Sequence, residues 1–169
     1  MLEERPLDPA LHDRSGFDCG VPELNEYLRS FAHQHRRKGV SAVYVLADSA
    51  APATVLGFCT LSAAQADRDW LEEPERRRLP RHPVPCFRMG RLACRADRQG
   101  SGLGRLLVGC AVERCLRAAE EVGAYALIVD AKNDRARAFY AHYGFTPFRD
   151  RPLMLYLPLR RLRAENRGP

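Results

Sequence analysis

The chain has no run of apolar residues approaching the ~18 needed to cross a bilayer, so a membrane anchor is not expected. The N-terminal stretch MLEERPLDPALH places acids early and has no apolar core, which is unlike a secretion signal. The expected location is the cytoplasm. None of Cys19, Cys59, Cys86, Cys94, Cys110 and Cys115 forms a C-x-x-C pair, and no H-x-x-x-H helix joins them as a zinc site requires. They read as reduced, mostly buried thiols. Only Cys94, between Arg91 and Arg95, has cationic neighbours of the kind that lower a thiol pKa. Internal repeats and long linkers are also missing.

What is present suits one domain over 1–169, with 46% apolar and 28% charged residues. The net charge of +6 comes mainly from arginine. Arginine pairs bidentately with phosphate, so the excess points to a polyanionic partner; the plain alternative is solubility alone.

Hydrophobic spacing gives the elements. Leu24, Tyr27, Leu28, Phe31, Ala32 and His35 follow one helix face, with Pro22 at its start and Gly39 at its stop. SAVYVLAD (Ser41 to Asp48) and TVLGFCTLSAAQ (Thr54 to Gln65) read as strands joined by the turn SAAPA. Asp67 to Pro85 is polar, basic and broken by four prolines, and is expected to be a loop with one short helix. CFRMGRLAC is a strand. From Gly102 a helix is expected to about Glu121, its stripe Leu103, Leu107, Ala111, Cys115, Ala118 and Val122, broadened by Leu106 and Cys110. AYALIVDA is a buried strand, NDRARAFYAHY a short helix ended by GF, and LMLYLPL the last strand. This order predicts an α/β (α+β) fold: a mixed sheet with helices on both faces.

RQGSGLG, Arg98 to Gly104, sits between a strand and the long helix. Glycines let backbone N–H groups close on an anion, and the helix start adds partial positive charge. Gln99 and Arg98 or Arg105 can add donors. A plain tight turn is the alternative. No Gly-Lys-Ser/Thr ends the stretch, so this is not a P-loop, and the spacing and missing acid ~20 residues on exclude a dinucleotide fingerprint.

QGSGLG matches the Gln/Arg-x-x-Gly-x-Gly/Ala loop of the GNAT N-acetyltransferase superfamily. FRMGRLAC resembles the strand before that loop. Asn133, Ala136, Phe139, Tyr140, Gly144 and Phe145 match a later signature of the superfamily. The chain is thus identified as resembling GNAT enzymes. The resemblance implies the GNAT fold, mostly antiparallel, with a splayed strand pair that binds acetyl-CoA. It implies that Gln99, Gly100, Ser101, Gly102, Leu103 and Gly104, flanked by Arg98 and Arg105, grip the pyrophosphate. Leu92, Ala93 and Cys94 would pair with the pantetheine arm and present an N–H to the thioester carbonyl. Asn133 and Phe139 would lie at the cofactor, and Tyr140 would protonate the leaving thiolate.

The residue types suit the chemistry. Acyl transfer develops an oxyanion that fixed backbone donors stabilise. A tyrosine, with pKa about 10, stays protonated at neutral pH and can serve as the acid. Taken alone, Tyr140 reads equally as a core aromatic beside Phe139 and Tyr143. Glu113, Glu120 and Glu121 fall on a solvated face, so no base stands out. An α-amine, with pKa about 7.7–8.0, needs less help than a lysine at about 10.4, which favours an α-amine acceptor.

FDCGVPELNEYL, Phe17 to Leu28, resembles the opening of the toxin branch of the superfamily, as do GFCTLSAA and GRLA. The resemblance implies acetylation of aminoacyl-tRNA and neutralisation by an antitoxin, often of ribbon-helix-helix type; family toxins are commonly homodimers. His33, His35, Arg36, Arg37 and Lys38 at one helix end, with Arg76, Arg77, Arg78 and Arg81 in the proline-rich loop, are candidates for tRNA phosphates. A solvated helix end and loop are the alternative. The sequence departs from the branch at Arg95, where aspartate is usual; Asp97 comes two residues later. Rival readings are a small-amine or protein N-terminal acetyltransferase and, in another class, a regulator that binds acyl-CoA or nucleic acid without catalysis.

Overall fold

A computed structural model describes residues 1–166, with side chains to 162; residues 167–169, the end of the expected domain, lie outside the described residues. Seven strands hydrogen-bond in the order β1-β2-β3-β4-β5-β7-β6. They are β1 Leu2–Pro6, β2 Ala42–Asp48, β3 Gly57–Ala66, β4 Val84–Cys94, β5 Ala126–Asp130, β6 Thr146–Phe148 and β7 Arg151–Pro158. The helices are α1 Pro22–Glu26, α2 Ala32–Arg37, α3 Glu73–Arg76, α4 Leu103–Glu121, α5 Asp134–His142 and α6 Leu159–Asn166. β1–β2, β2–β3, β5–β7 and β6–β7 are antiparallel, while β4 runs parallel to β5 from Cys86↔Ala126 to Met89↔Val129. The expected mixed sheet is therefore present. β1, β6 and α6 were not expected from the sequence.

The chain divides into two compact units, one of Met1–Ser62 with Gly90–Val112, the other of Ala63–Met89 with Glu113–Pro169. In the first, Leu7, Phe17, Tyr27, Leu28, Val43, Val45, Phe58 and Ala93 build the core. Phe17 meets Phe58 edge-on at 5.5 Å, and the Arg91 guanidinium lies 3.6 Å above the Tyr27 ring. Gly57 is a point of close approach. A Cβ there would come within 2.9 Å of the Ala93 carbonyl oxygen, so β3 can pass β4 only without a side chain.

The expected single helix from Pro22 is three pieces. Between α1 and α2 lies a π-helical turn, Tyr27–Phe31, closed by the Ala32 N–H donating to the Tyr27 carbonyl. The wider turn rotates the residues after it away from strict 3.6 periodicity. Phe31, expected on the buried face, is instead 46% exposed, while Tyr27, Leu28 and Ala32 are buried.

In the second unit, Leu71, Val84, Cys86, Ile128, Phe148 and Tyr156 pack together, with Phe148 stacked on Tyr156 at 4.5 Å. Burial on both faces explains why β5 reads as an unbroken apolar run. The Asp67–Pro85 segment carries a 3₁₀ turn, Arg68–Trp70, as well as α3, one short helix more than expected. It is pinned through Glu75, whose carboxylate accepts from the hydroxyls of Tyr125 at 2.6 Å and Tyr156 at 3.1 Å. Both phenols are pushed well above their ordinary pKa by burial and by that carboxylate.

α4 buries Leu103, Leu107, Val108, Ala111 and Cys115, but the expected stripe stops there. Ala118 is exposed, Val122 is 65% exposed, and Leu106 is at the surface. All six cysteines are free thiols, with Cys19, Cys59, Cys86 and Cys115 buried.

Candidate active site

The glycine-rich loop begins with a 3₁₀ turn, Ala96–Arg98, directly after β4. Gly100 and Gly102 both take positive φ, +80° and +88°, a region costly to residues with a Cβ. The loop is tied back upon itself: the Ser101 N–H and hydroxyl both donate to the Arg98 carbonyl. The Leu106 N–H donates to the Gly102 carbonyl at 3.1 Å and so joins the loop to the helix. Among the described residues, no protein acceptor takes the N–H groups of Gly100, Gly102, Leu103, Gly104 or Arg105. Five backbone donors thus remain available around one turn and the first turn of α4, a built arrangement for phosphate oxygens. Arg98 and Arg105 are exposed beside it. Gln99 is differently employed: its Nε2 donates to the Cys19 carbonyl at 3.0 Å, so it braces the loop.

The strand residues Leu92 and Cys94 are half-buried and Ala93 is buried. Cys94 is not an activated thiol. Burial pushes it up to about 11. The two flanking guanidiniums are committed elsewhere, Arg91 to the Tyr27 ring and Arg95 to the Asp97 carboxylate. The expected lowering by cationic neighbours is therefore overturned by desolvation.

In the other unit, the Asn133 side-chain oxygen accepts from Ala136 N–H at 2.9 Å and caps α5. One helix turn from the far end, Tyr140 is 7% exposed. Its ring is held edge-on between Phe139 at 5.3 Å and Phe145 at 5.6 Å. Gly144, with φ +91°, ends the helix, and the Phe145 N–H then returns to the Tyr140 carbonyl at 3.2 Å. The matched signature is thus a capped helix that fixes one tyrosine by aromatic packing at both sides. Tyr143 is half-buried and packs on Phe139 at 5.0 Å.

The acetyltransferase (GNAT) domain profile matches residues 39–147, which include the loop and the tyrosine helix. The chain belongs to the GNAT acetyltransferase family. It is 36% identical over 152 residues to a tRNA-acetylating toxin of Mycobacterium tuberculosis, covering 90% of this chain and 89% of that protein. Its fold is similar to AtaT complexed with acetyl-methionyl-tRNAfMet, with a TM-score of 0.92, 28% identity, and 98% and 99% of the two chains covered. It is also similar to a mutant AtaT toxin bound to the C-terminus of the antitoxin AtaR and to acetyl-CoA, with a TM-score of 0.83, 27% identity and 99% of each chain covered.

The basic residues of this GNAT chain divide into engaged and unengaged sets. Arg36 donates to the Leu7 carbonyl at 2.5 Å. Arg76 and Arg77 both pair with Glu73. His35 is hydrogen-bonded to the Tyr27 hydroxyl at 3.2 Å. Arg37, Lys38, Arg78 and Arg81 are exposed and have no side-chain partner among the described residues. Sequence spacing alone does not separate these sets, because the partners Leu7 and Glu73 are recognised only once the chain is folded. It likewise gives no sign that Asp18 and Asn25 hold one another, side chain to side chain, at 2.9 Å.

Proposed function

We propose that this acetyltransferase moves the acetyl group of acetyl-CoA to the α-amino group of aminoacyl-tRNA, and so acts as a translation-blocking toxin in the cytoplasm. The observation that carries this reading is the 36% identity to a tRNA-acetylating toxin along nine-tenths of the chain. The AtaT complexes with acetylated tRNA and with antitoxin and acetyl-CoA support it.

Acetyl-CoA supplies the activated thioester. In this reading the N–H groups of Gly100, Gly102, Leu103 and Gly104 bind its pyrophosphate, with Arg98 and Arg105 adding charge at the rim and Gln99 and Ser101 keeping the loop's shape. Leu92, Ala93 and Cys94 pair with the pantetheine arm through their backbone. One of their N–H groups stabilises the developing oxyanion. Tyr140 delivers the proton to the departing thiolate, with Phe139 fixing its ring. Asn133 acts by holding the start of α5. Arg37, Lys38, Arg78 and Arg81 meet tRNA phosphates, with Arg36, Arg76 and Arg77 behind them. The partner that neutralises the protein is a cognate antitoxin, of ribbon-helix-helix type, and the active form is a homodimer.

The deciding experiment offers purified protein acetyl-labelled acetyl-CoA with charged tRNA, the same tRNA deacylated, and a panel of small amines and peptides. Label in charged tRNA alone, released by mild base, is expected. Label in a small amine or peptide instead would overturn the tRNA assignment and keep the acetyltransferase.

A further inference from the structure

The N-terminal motif Phe17 to Leu28 has no role in acetyl transfer itself, yet it makes the most extensive side-chain network around the loop. Asn25 lies at its centre. Its Oδ1 accepts from the Cys19 N–H at 2.9 Å, and its Nδ2 donates to the Asp18 carboxylate at 2.9 Å. The same carboxylate oxygen accepts from the Gly20 N–H at 2.8 Å. One turn, Asp18–Cys19–Gly20, is therefore locked by one asparagine. It is also anchored by burial, since Phe17 and Cys19 are 2% and 4% exposed.

The two carbonyls of that turn face the glycine-rich loop. The Asp18 carbonyl accepts from the Ala96 N–H at 2.9 Å, and the Cys19 carbonyl accepts from Gln99 Nε2 at 3.0 Å. Ala96 opens the 3₁₀ turn and Gln99 comes directly after its last residue. Consecutive carbonyls thus hold both ends of the turn that delivers the chain to Gly100. Backbone N–H groups bind an anion well only when they converge before it arrives, because ordering them on binding costs affinity.

We propose that Asn25 is a positioning residue for acetyl-CoA: by locking the Asp18–Cys19–Gly20 turn it holds the glycine-rich loop in its phosphate-binding shape. The inference rests on the reading of that loop as the pyrophosphate site. It assigns a task to the asparagine and to the aspartate it holds, and it makes Gln99 the last link of a brace.

The test measures CoA binding by calorimetry, and loop hydrogen exchange in the ligand-free protein, for wild type, Asn25→Ala, Asp18→Asn and Gln99→Met. Asn25→Ala is expected to raise the Kd for CoA about tenfold, the size of losing a pre-organised hydrogen-bonded turn. With acetyl-CoA the expected effect is on KM, with kcat at saturation and KM for the acceptor unchanged. Exchange over residues 96–104 should quicken in both Asn25→Ala and Gln99→Met before any ligand is added. Asp18→Asn keeps the accepting oxygen and should bind CoA within about threefold of wild type. A folded Asn25→Ala with wild-type CoA affinity and wild-type loop exchange overturns the proposal. If Asn25→Ala does not fold, Gln99→Met decides: unchanged ligand-free exchange overturns the brace, because a direct phosphate contact would leave the empty loop unaltered. Failure of the wild type to bind CoA is a separate outcome, and it overturns the reading of the loop itself.

Discussion

Arg95 grips Asp97 with two parallel hydrogen bonds, Nε at 3.0 Å and Nη2 at 2.8 Å, immediately before the glycine-rich loop. The guanidinium holds the Asp97 carboxyl below the usual carboxylate range. The toxin branch that the sequence resembles usually has an acid at the first of these positions. This chain keeps an acid in the same turn and supplies its own counter-charge two residues away.

The pair is exposed, so its removal should matter little to stability. Asp97→Ala is expected to raise the Kd for CoA by about two- to fivefold, in line with the modest worth of a surface pair. Exchanging the two, Arg95→Asp with Asp97→Arg, should restore most of the affinity. Calorimetry of the three proteins checks this, and a swap no better than the single variant would show that the pair has no positional role.

Tyr140→Phe should leave CoA affinity unchanged while lowering kcat by about 10²–10⁴-fold, the range for a positioned acid. The ring keeps its packing between Phe139 and Phe145, so the thermal midpoint should hold. Turnover at the wild-type rate would remove Tyr140 from the acid role and direct attention to Tyr143.

Burial pushes three thiols up, Cys86 and Cys94 to about 11 and Cys115 to about 12, from an ordinary 9.0. The unfolded chain ionises these groups first as pH rises. Stability should therefore be constant below pH 9.0 for this cause, fall as pH climbs through 9.0 to 11, and level once the native thiols also ionise. Urea midpoints between pH 8 and pH 11 read the slope, and Cys86→Ala should make it shallower. Alkylation of native Cys94 at pH 8 should be slow, since the thiolate is about one part in a thousand there.

Asn133→Ala removes the cap of α5 and should cost about 1 kcal/mol. Asn133→Asp and Asn133→Ser, which keep a side-chain acceptor, should recover most of it. The thermal midpoint reports the loss; a midpoint unmoved by alanine would mean that Asn133 serves the cofactor and not the helix.

Glu75→Leu leaves two buried phenol hydroxyls, of Tyr125 and Tyr156, without their acceptor, and should cost about 2–5 kcal/mol. Adding Tyr125→Phe and Tyr156→Phe should return part of that, because the orphaned donors are then gone. Denaturant melts of the single and triple variants measure both steps.

How far the fold could be read from sequence depended on whether one face of each element was dry. β5, β4 and the first half of α4 bury their apolar residues, so their periods showed. β1 did not, because LEERP lies at the sheet edge with no buried residue, and its only signal is pairing with β2. β6 is three residues with Pro147 at its centre, too short for any period. The glycine-rich loop and the tyrosine helix were legible from spacing alone, since positive φ and capping demand particular residues. The use of each charged group was not. Arg36 and Arg77 look like Arg37 and Arg78 in sequence, and only the distant Leu7 carbonyl and Glu73 distinguish them.

The π turn at Tyr27–Phe31 has a consequence for chain length. A helix that already carries a surplus residue can lose one and close into regular α-helix, without displacing Asn25 before it. The residues after it, His33 to Lys38, would instead rotate by about 100° about the axis, which is one residue's share of a turn. A single-residue deletion at Ser30 or Phe31 would thus re-aim the Arg37 and Lys38 charges while leaving the brace on the glycine-rich loop in place. The helix separates the tuning of its basic end from the holding of the cofactor, and length, more than side-chain chemistry, is the variable that adjusts it.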